Sequence, residues 1–146
     1  VEAMRAKLFP LASLITPNLP EAARLAEVDV PADKAGLEHL ARILAGQGAR
    51  AVLVKGGHLS GDTAEDVLFT NSQVSHFSAP RVKTKNTHGT GCTLSSAIAA
   101  HLAKGLALEQ AVQQAKDYLT QALRAADALD VGQGHGPVHH FAGLWR

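Results

Sequence analysis

Two glycines bracket a threonine in Thr84-Lys85-Asn86-Thr87-His88-Gly89-Thr90-Gly91-Cys92-Thr93, and a small-residue run, 94–102, follows at once. A loop that turns into a helix in this way leaves several N–H groups unpaired at the positive end of the helix dipole, which suits phosphate oxygens. The one cysteine of the 146 residues stands at the mouth of this loop. A thiol placed there can take the proton of a substrate hydroxyl. The plainer reading of the same residues is a strand-to-helix turn with a buried, inert cysteine. No Gly-Lys-Ser/Thr closes the loop, and the third glycine of a dinucleotide fingerprint is missing. Phosphate would therefore be held by backbone amides, without a lysine inside the loop. A structural metal role for Cys92 is not expected, since no second cysteine exists to share one.

Two further groups carry chemistry-bearing side chains. Asn18 and Glu21 are three apart on the turn Thr16-Pro17-Asn18-Leu19-Pro20-Glu21, so both can face one way. A carboxylate with an amide oxygen suits Mg²⁺, usually through waters; helix capping explains the same residues. Lys55 ends the apolar run 51–54 and precedes Gly56-Gly57-His58. Its ammonium is placed to reach a phosphate past a closely approaching backbone, or it is a surface lysine at a turn. His58 and His88 lie inside the two loops and are candidates for phosphate or nucleotide contacts, or are turn residues. The remaining histidines, His139 and His140 among them, are read as surface or packing residues: the adjacent pair must point to different sides, and no His-Glu-x-x-His spacing occurs.

The elements that position these residues follow from periodicity. Residues 1–9 read as the end of an amphipathic helix stopped near Pro10, and the apolar stretch 11–16 as a short buried strand ended by Pro17. A short helix is expected over 20–26. Asp33 caps another over 34–45, whose apolar stripe is Leu37, Leu40, Ala41 and Leu44, with Gly46 and Gly48 ending it. Residues 51–54 read as a parallel strand covered on both faces. The stretches 67–70 and 74–77 form a hairpin or meander around Asn71-Ser72-Gln73, and 81–85 is one more short strand feeding the glycine loop. The run 93–103 is a helix buried on most sides, Gly105 breaks it, and 108–129 keeps helical spacing throughout. Strands alternating with helices argue for an α/β layered fold, in which ligands collect beyond the carboxyl ends of the strands.

The composition excludes several classes. Hydrophobic residues at 46% and charged residues at 18% are those of an ordinary globular chain, not a disordered or fibrous one. A net charge of +1 and 4% aromatic residues give no case for nucleic acid or an anionic membrane. No stretch reaches about 18 uninterrupted apolar residues, so no membrane span is expected. One cysteine fits a reducing cytosol. The opening Val1-Glu2-Ala3-Met4-Arg5 has neither an initiator methionine nor a signal-peptide pattern and reads as the middle of a helix, as expected of a portion of a longer chain.

Taken together, Leu14-Ile15-Thr16-Pro17-Asn18-Leu19-Pro20-Glu21-Ala22, Val54-Lys55-Gly56-Gly57-His58, the run from Thr84 to Ser95 and the tail Gly136-Pro137-Val138-His139-His140-Phe141 closely resemble the bacterial hydroxymethylpyrimidine/phosphomethylpyrimidine kinases of thiamine biosynthesis. The resemblance implies a ribokinase-like fold, a central and mostly parallel sheet flanked by helices, here lacking its N-terminal part. The chain would be the C-terminal, nucleotide-binding and catalytic-base portion of a single kinase domain. The implied reaction is ATP- and Mg²⁺-dependent phosphorylation of 4-amino-5-hydroxymethyl-2-methylpyrimidine and then of its monophosphate. By position, Gly89, Thr90 and Gly91 with the Cys92 amide resemble the anion hole, and Cys92 the general base. Lys55, Thr84 and His88 resemble nucleotide contacts, and Asn18 and Glu21 the pair that organises Mg²⁺. ATP and a small pyrimidine are the implied ligands, a homodimer the expected assembly, and the cytoplasm the expected location. Most of the pyrimidine pocket would lie in the missing N-terminal part. A pyridoxal kinase is the rival within enzymes. A non-catalytic nucleotide- or anion-binding module is the rival outside them.

Overall fold

Two helix starts in the first half of the chain, at Asn18 and Asp33, are written in its polar residues. The computed structural model describes residues 1–57, 59 and 61–145, so the expectation for His58 lies outside the described residues. Contacts divide the chain into two compact units, Val1–Ser78 and Ala79–Arg146, and each is described by itself.

The first unit opens with a single π-helical turn, Met4–Leu8, in place of the end of a regular α-helix. Asn18 then starts helix α1, Leu19–Ala26, with Pro20 in its first turn, where a missing N–H is harmless. Asp33 starts α2, Lys34–Gly46, its Oδ1 accepting the Gly36 N–H at 2.9 Å. The α2 stripe of Leu37, Leu40, Ala41 and Leu44 is fully buried, together with Leu19, Ala22, Val52, Val54 and Val67. Strand β1, Ala51–Lys55, is buried on both faces over its first four residues. It pairs antiparallel with β2, Thr63–Thr70, so that Leu53 faces Leu68 and Lys55 faces Asp66. Strand β3, Gln73–Pro80, completes the order β1-β2-β3. The hairpin turn is two residues long, not three, with Asn71 at φ 48° and Ser72 at φ 63°; left-handed residues at both central positions match the twist of paired strands. The hairpin is tied to α2 by Lys34–Glu65 at 3.1 Å and His76–Glu38 at 3.3 Å. The Ser78 hydroxyl, aided by Lys34, holds the Glu65 carboxyl below its ordinary range.

The expected strand over 11–16 is reduced to two parallel bridges, Ile15 to Val52 and Asn18 to Lys55. Ile15 N–H donates to Ala51 O, Leu53 N–H to Ile15 O and Lys55 N–H to Pro17 O. The rung that would come next from residue 17 is absent because proline has no N–H to give. Leu11 is 78% exposed, outside any ladder. These bridges carry the parallel component of the sheet within this chain.

In the second unit, α3 spans Thr90–Ala103 and packs on α4, Leu108–Arg124, which passes into a 3₁₀ turn at Ala126–Ala128. Leu94, Ile98, Ala111, Val112, Ala115, Ala122, Ala126 and Val138 form the buried apolar set. Three expectations change here, the first being that α4 ends at Arg124 and not at 129. Residues 81–85 form no strand, there being no ladder to join among the described residues. Helix α3 buries only Thr93, Leu94 and Ile98. Its apolar character comes from alanines, which bury little area each, so composition overstates its burial.

Gly56, just past β1, has no room for a side chain: a Cβ would stand 2.1 Å from the Glu65 carbonyl oxygen. Its N–H donates to the buried Asp66 carboxylate at 3.0 Å. Gly56→Ala is expected to cost about 1–3 kcal/mol by overpacking, read as a lower urea midpoint with an unchanged m-value. An unshifted midpoint would mean that β2 yields freely at Glu65.

Candidate functional site

At the carboxyl end of β1 the first unit brings three of the expected residues together. The Asn18–Lys55 bridge sets the start of α1 beside the end of the strand. Asn18 and Glu21 form a reciprocal capping box: the Glu21 N–H donates to Asn18 Oδ1 and the Asn18 N–H to Glu21 Oε2, each at 2.8 Å. The capping reading of this pair is thus realised. It satisfies two of the orphan N–H groups of α1. It uses one carboxylate oxygen of the exposed Glu21 and leaves the other without a hydrogen-bond partner among the described residues. Lys55 is half-buried, and among the described residues its ammonium has no hydrogen-bond or ion-pair partner. A cation without an acidic partner at a strand end, where Gly56 brings the backbone close, can receive an anion. Among the described residues no group of three or more His, Cys, Asp or Glu could hold a metal ion. A divalent cation here would therefore need ligands beyond the described residues.

The glycine loop belongs to the second unit. Gly89 is the N-cap of α3, at φ 85°, and offers no side-chain acceptor to the first turn. The first helical bond runs from Thr93 N–H to Gly89 O at 2.8 Å, and Thr90 N–H reaches back to Thr87 O at 3.4 Å. Among the described residues the N–H groups of Gly91 and Cys92 have no acceptor. The first turn of α3 also carries no acidic residue. Two adjacent donors at the positive end of a helix, unscreened by any carboxylate of the turn, form the arrangement that binds phosphate.

Cys92 is exposed, so the buried, inert alternative does not hold. It stands at one end of a cleft of about 710 Å³ between α3 and α4. Ser96 and His101 line it on one side, Asp117, Tyr118 and Gln121 on the other, and His140 closes it from the tail. Adjacent His139 and His140 do point to different sides. His139 is buried and meets Trp145 edge-on at 5.2 Å. His140 turns into the cleft, where its Nε2 lies 2.9 Å from Thr93 Oγ1, and its carbonyl accepts the Tyr118 hydroxyl at 2.9 Å.

His88 is exposed, with its backbone held by the tail: its N–H donates to Gly136 O at 3.0 Å, and its carbonyl accepts from Val138 N–H at 3.4 Å. Thr84 has its hydroxyl engaged, donating to Asp127 Oδ1 and accepting from Asn86 N–H. Two residues were not assigned from sequence. The sequence reads His140 as a surface or packing residue, and nothing local distinguishes it from His139. Asn86 is buried and bonded to residues 40 and 50 positions away. The only trace it leaves in the sequence is its place inside the glycine-loop motif.

With that geometry in view, comparison with known proteins is informative. The chain matches the family model of phosphomethylpyrimidine kinase over residues 1–139. It is 50% identical over 146 residues to the hydroxymethylpyrimidine/phosphomethylpyrimidine kinase of Rhizobium meliloti, covering 100% of this chain and 55% of that protein. The kinase of the same name from Salmonella typhimurium is 52% identical over 147 residues, with 99% of this chain and 54% of the relative covered. The chain thus spans about half the length of the curated relatives it matches. Among solved structures, the ADP complex of Bacillus subtilis pyridoxal kinase superposes with a TM-score of 0.90 at 35% identity, over 97% of this chain and 54% of that one. The likeness bears out the expected α/β, ribokinase-like fold.

The cap and any further role of Asn18 can be separated. Asn18→Ala is expected to lose about 0.5–2 kcal/mol, whereas Asn18→Ser, a cap of similar strength, stays within a few tenths of the parent. Equal losses in both, by urea denaturation, would show that the side-chain oxygen is not what holds this end of α1.

Proposed function

Since the chain belongs to the phosphomethylpyrimidine kinase family, we propose that it is the C-terminal portion of one kinase domain. That kinase transfers the γ-phosphoryl group of ATP to 4-amino-5-hydroxymethyl-2-methylpyrimidine and then to the resulting monophosphate. The observation that carries the reading is the pairing of an exposed Cys92 thiol with the two unsatisfied N–H groups at its own end of α3. Phosphoryl transfer asks a protein for placement and for donors aimed at the moving group's charge.

The residues take the following roles. Gly91 and Cys92 N–H, in the turn formed by Gly89 and Thr90, donate to oxygens of the phosphoryl group in flight. Cys92 Sγ, as thiolate, accepts the proton of the attacking hydroxyl while its oxygen bonds to phosphorus, and the bond to the nucleoside diphosphate oxygen breaks. Lys55 is assigned to a nucleotide phosphate, its free ammonium being the support for that. Thr84 and His88 are assigned to the nucleotide side through the loop that they hold in place.

Mg²⁺ fits with one condition. Glu21 has an oxygen left over from the capping box, and Mg²⁺ in phosphoryl-transfer sites is typically held by one or two carboxylates, substrate phosphates and waters. Glu21, oriented by Asn18, is therefore the residue to meet the hydrated ion, which when bound neutralises charge on the phosphates. No helix among the described residues is long and apolar enough to cross a membrane, and we place the enzyme in the cytoplasm as a homodimer. The structural likeness to a pyridoxal kinase keeps pyridoxal as the second reading; the roughly 50% identity to pyrimidine kinases favours the first.

In the full-length protein, phosphorylation of the hydroxymethylpyrimidine is expected to exceed that of pyridoxal in kcat/KM. The reverse order would give the protein to the second reading. Cys92→Ala is expected to lower kcat by about 10²–10⁴-fold, as loss of a general base does, with ATP affinity little changed by calorimetry. Near-normal turnover would remove Cys92 from the proton transfer.

A further inference from the structure

The tail after α4 does more than close the second unit. Gly136 O and Val138 N–H grip His88 on both sides of its residue. The His88 carbonyl lies four residues before Cys92, so a helix begun one turn earlier would hand it the Cys92 N–H. Val138 takes that carbonyl instead, and Gly89 in the left-handed region turns the chain out of helical register.

The tail is itself fixed by Asn86. Its Oδ1 accepts from Gly136 N–H at 3.1 Å, and its Nδ2 donates to Ala126 O at 3.0 Å and to Asp127 Oδ1 at 3.1 Å. Asn86 is 5% exposed, so water is a poor substitute for any of these bonds. The fit leaves no slack: a Cβ on Gly136 would lie 2.2 Å from Asn86 Oδ1 and 2.8 Å from its Cγ. Such a methyl must displace a carboxamide pinned at both of its polar atoms.

We propose that Asn86 and Gly136 are positioning residues for phosphate binding: they clamp the tail onto His88 and so keep the Cys92 N–H free for an anion. The inference rests on the reading of the glycine loop as the phosphate cradle. It adds that the competence of the cradle is set by a contact between residues 50 positions apart.

The test is a double-mutant cycle in the full-length protein, with Gly136→Ala, Asn86→Ala and the pair together. Val112→Ala, in the α3–α4 core, serves as a control that destabilises without touching the clamp. Below all unfolding midpoints, Gly136→Ala is expected to lower kcat by about 10-fold or more, because misaimed transition-state donors act on kcat, with the KM for the pyrimidine changed far less. Val112→Ala should lower the midpoint and leave kcat near the parent value. In the double variant the carboxamide that the new methyl strikes is gone, so kcat should fall no lower than in Asn86→Ala alone. Should Gly136→Ala alone not fold, the double variant against Asn86→Ala still decides the coupling. The clamp is overturned by parental kcat in Gly136→Ala, by losses that multiply in the double variant, or by a kcat loss in Val112→Ala as large as that in Gly136→Ala. Titration with inorganic phosphate, followed at the Cys92 amide by NMR, gives a readout independent of turnover. If the parent protein phosphorylates nothing, the functional reading falls, and weaker phosphate binding in Gly136→Ala still supports the clamp while equal binding rejects it.

Discussion

A helix begins with N–H groups that its own carbonyls cannot satisfy, and the second unit is arranged around leaving two of them so. Of the four α-helices described, α1 and α2 close their first turns with Asn18 and Asp33. Helix α4 lacks a side-chain cap but carries Glu109 in its first turn. Helix α3 has neither: Gly89 stands at φ 85°, a left-handed conformation that the usual capping residues rarely adopt. What it leaves is a pair of donors with the field of a helix behind them and a thiol beside them.

Maintaining that opening takes more structure than creating it. The loop before α3 has no ladder of its own, and its order comes from the carboxamide of Asn86, the hydroxyl of Thr84 and the backbone of the tail. These bonds cross long stretches of sequence. The first unit solves a related problem locally. There the start of α1 is closed by residues three apart, and β1 delivers Lys55 to the same end of the sheet through parallel bridges interrupted by Pro17. One candidate anion site is therefore built from a side chain left unpaired, the other from backbone left unpaired.

The difference explains which parts of the molecule could be read in advance. Helices α1, α2 and α4 are legible because capping residues and 3.6-residue stripes are local, and so is the position of the hairpin turn, though Gln73 belongs to β3 and not to the turn. The stretch 11–16 reads as a strand ended by Pro17, and the stop at Pro17 is found; that residues 11–14 join no ladder is a matter of pairing, which apolar content does not register. Residues 81–85 have strand-like composition but join no ladder among the described residues, and pairing is a property of the fold. The glycine loop, Asn18, Glu21 and Lys55 are visible as motifs, but the capping box gives Asn18 and Glu21 a structural task that motif reading treats as the competing explanation. Asn86 and His140 escape because their roles are defined by contacts 40 to 50 residues distant.

The central claim is that Gly91 and Cys92 hold the transferred phosphoryl group by their backbone. A crystal structure of the full-length protein with a non-hydrolysable ATP analogue tests it most directly. The terminal phosphate is predicted to lie with oxygens within about 3.2 Å of both N–H groups, with the Cys92 thiol facing the acceptor side of phosphorus. A terminal phosphate bound away from α3, or a protein carbonyl occupying those two donors in the complex, would contradict it.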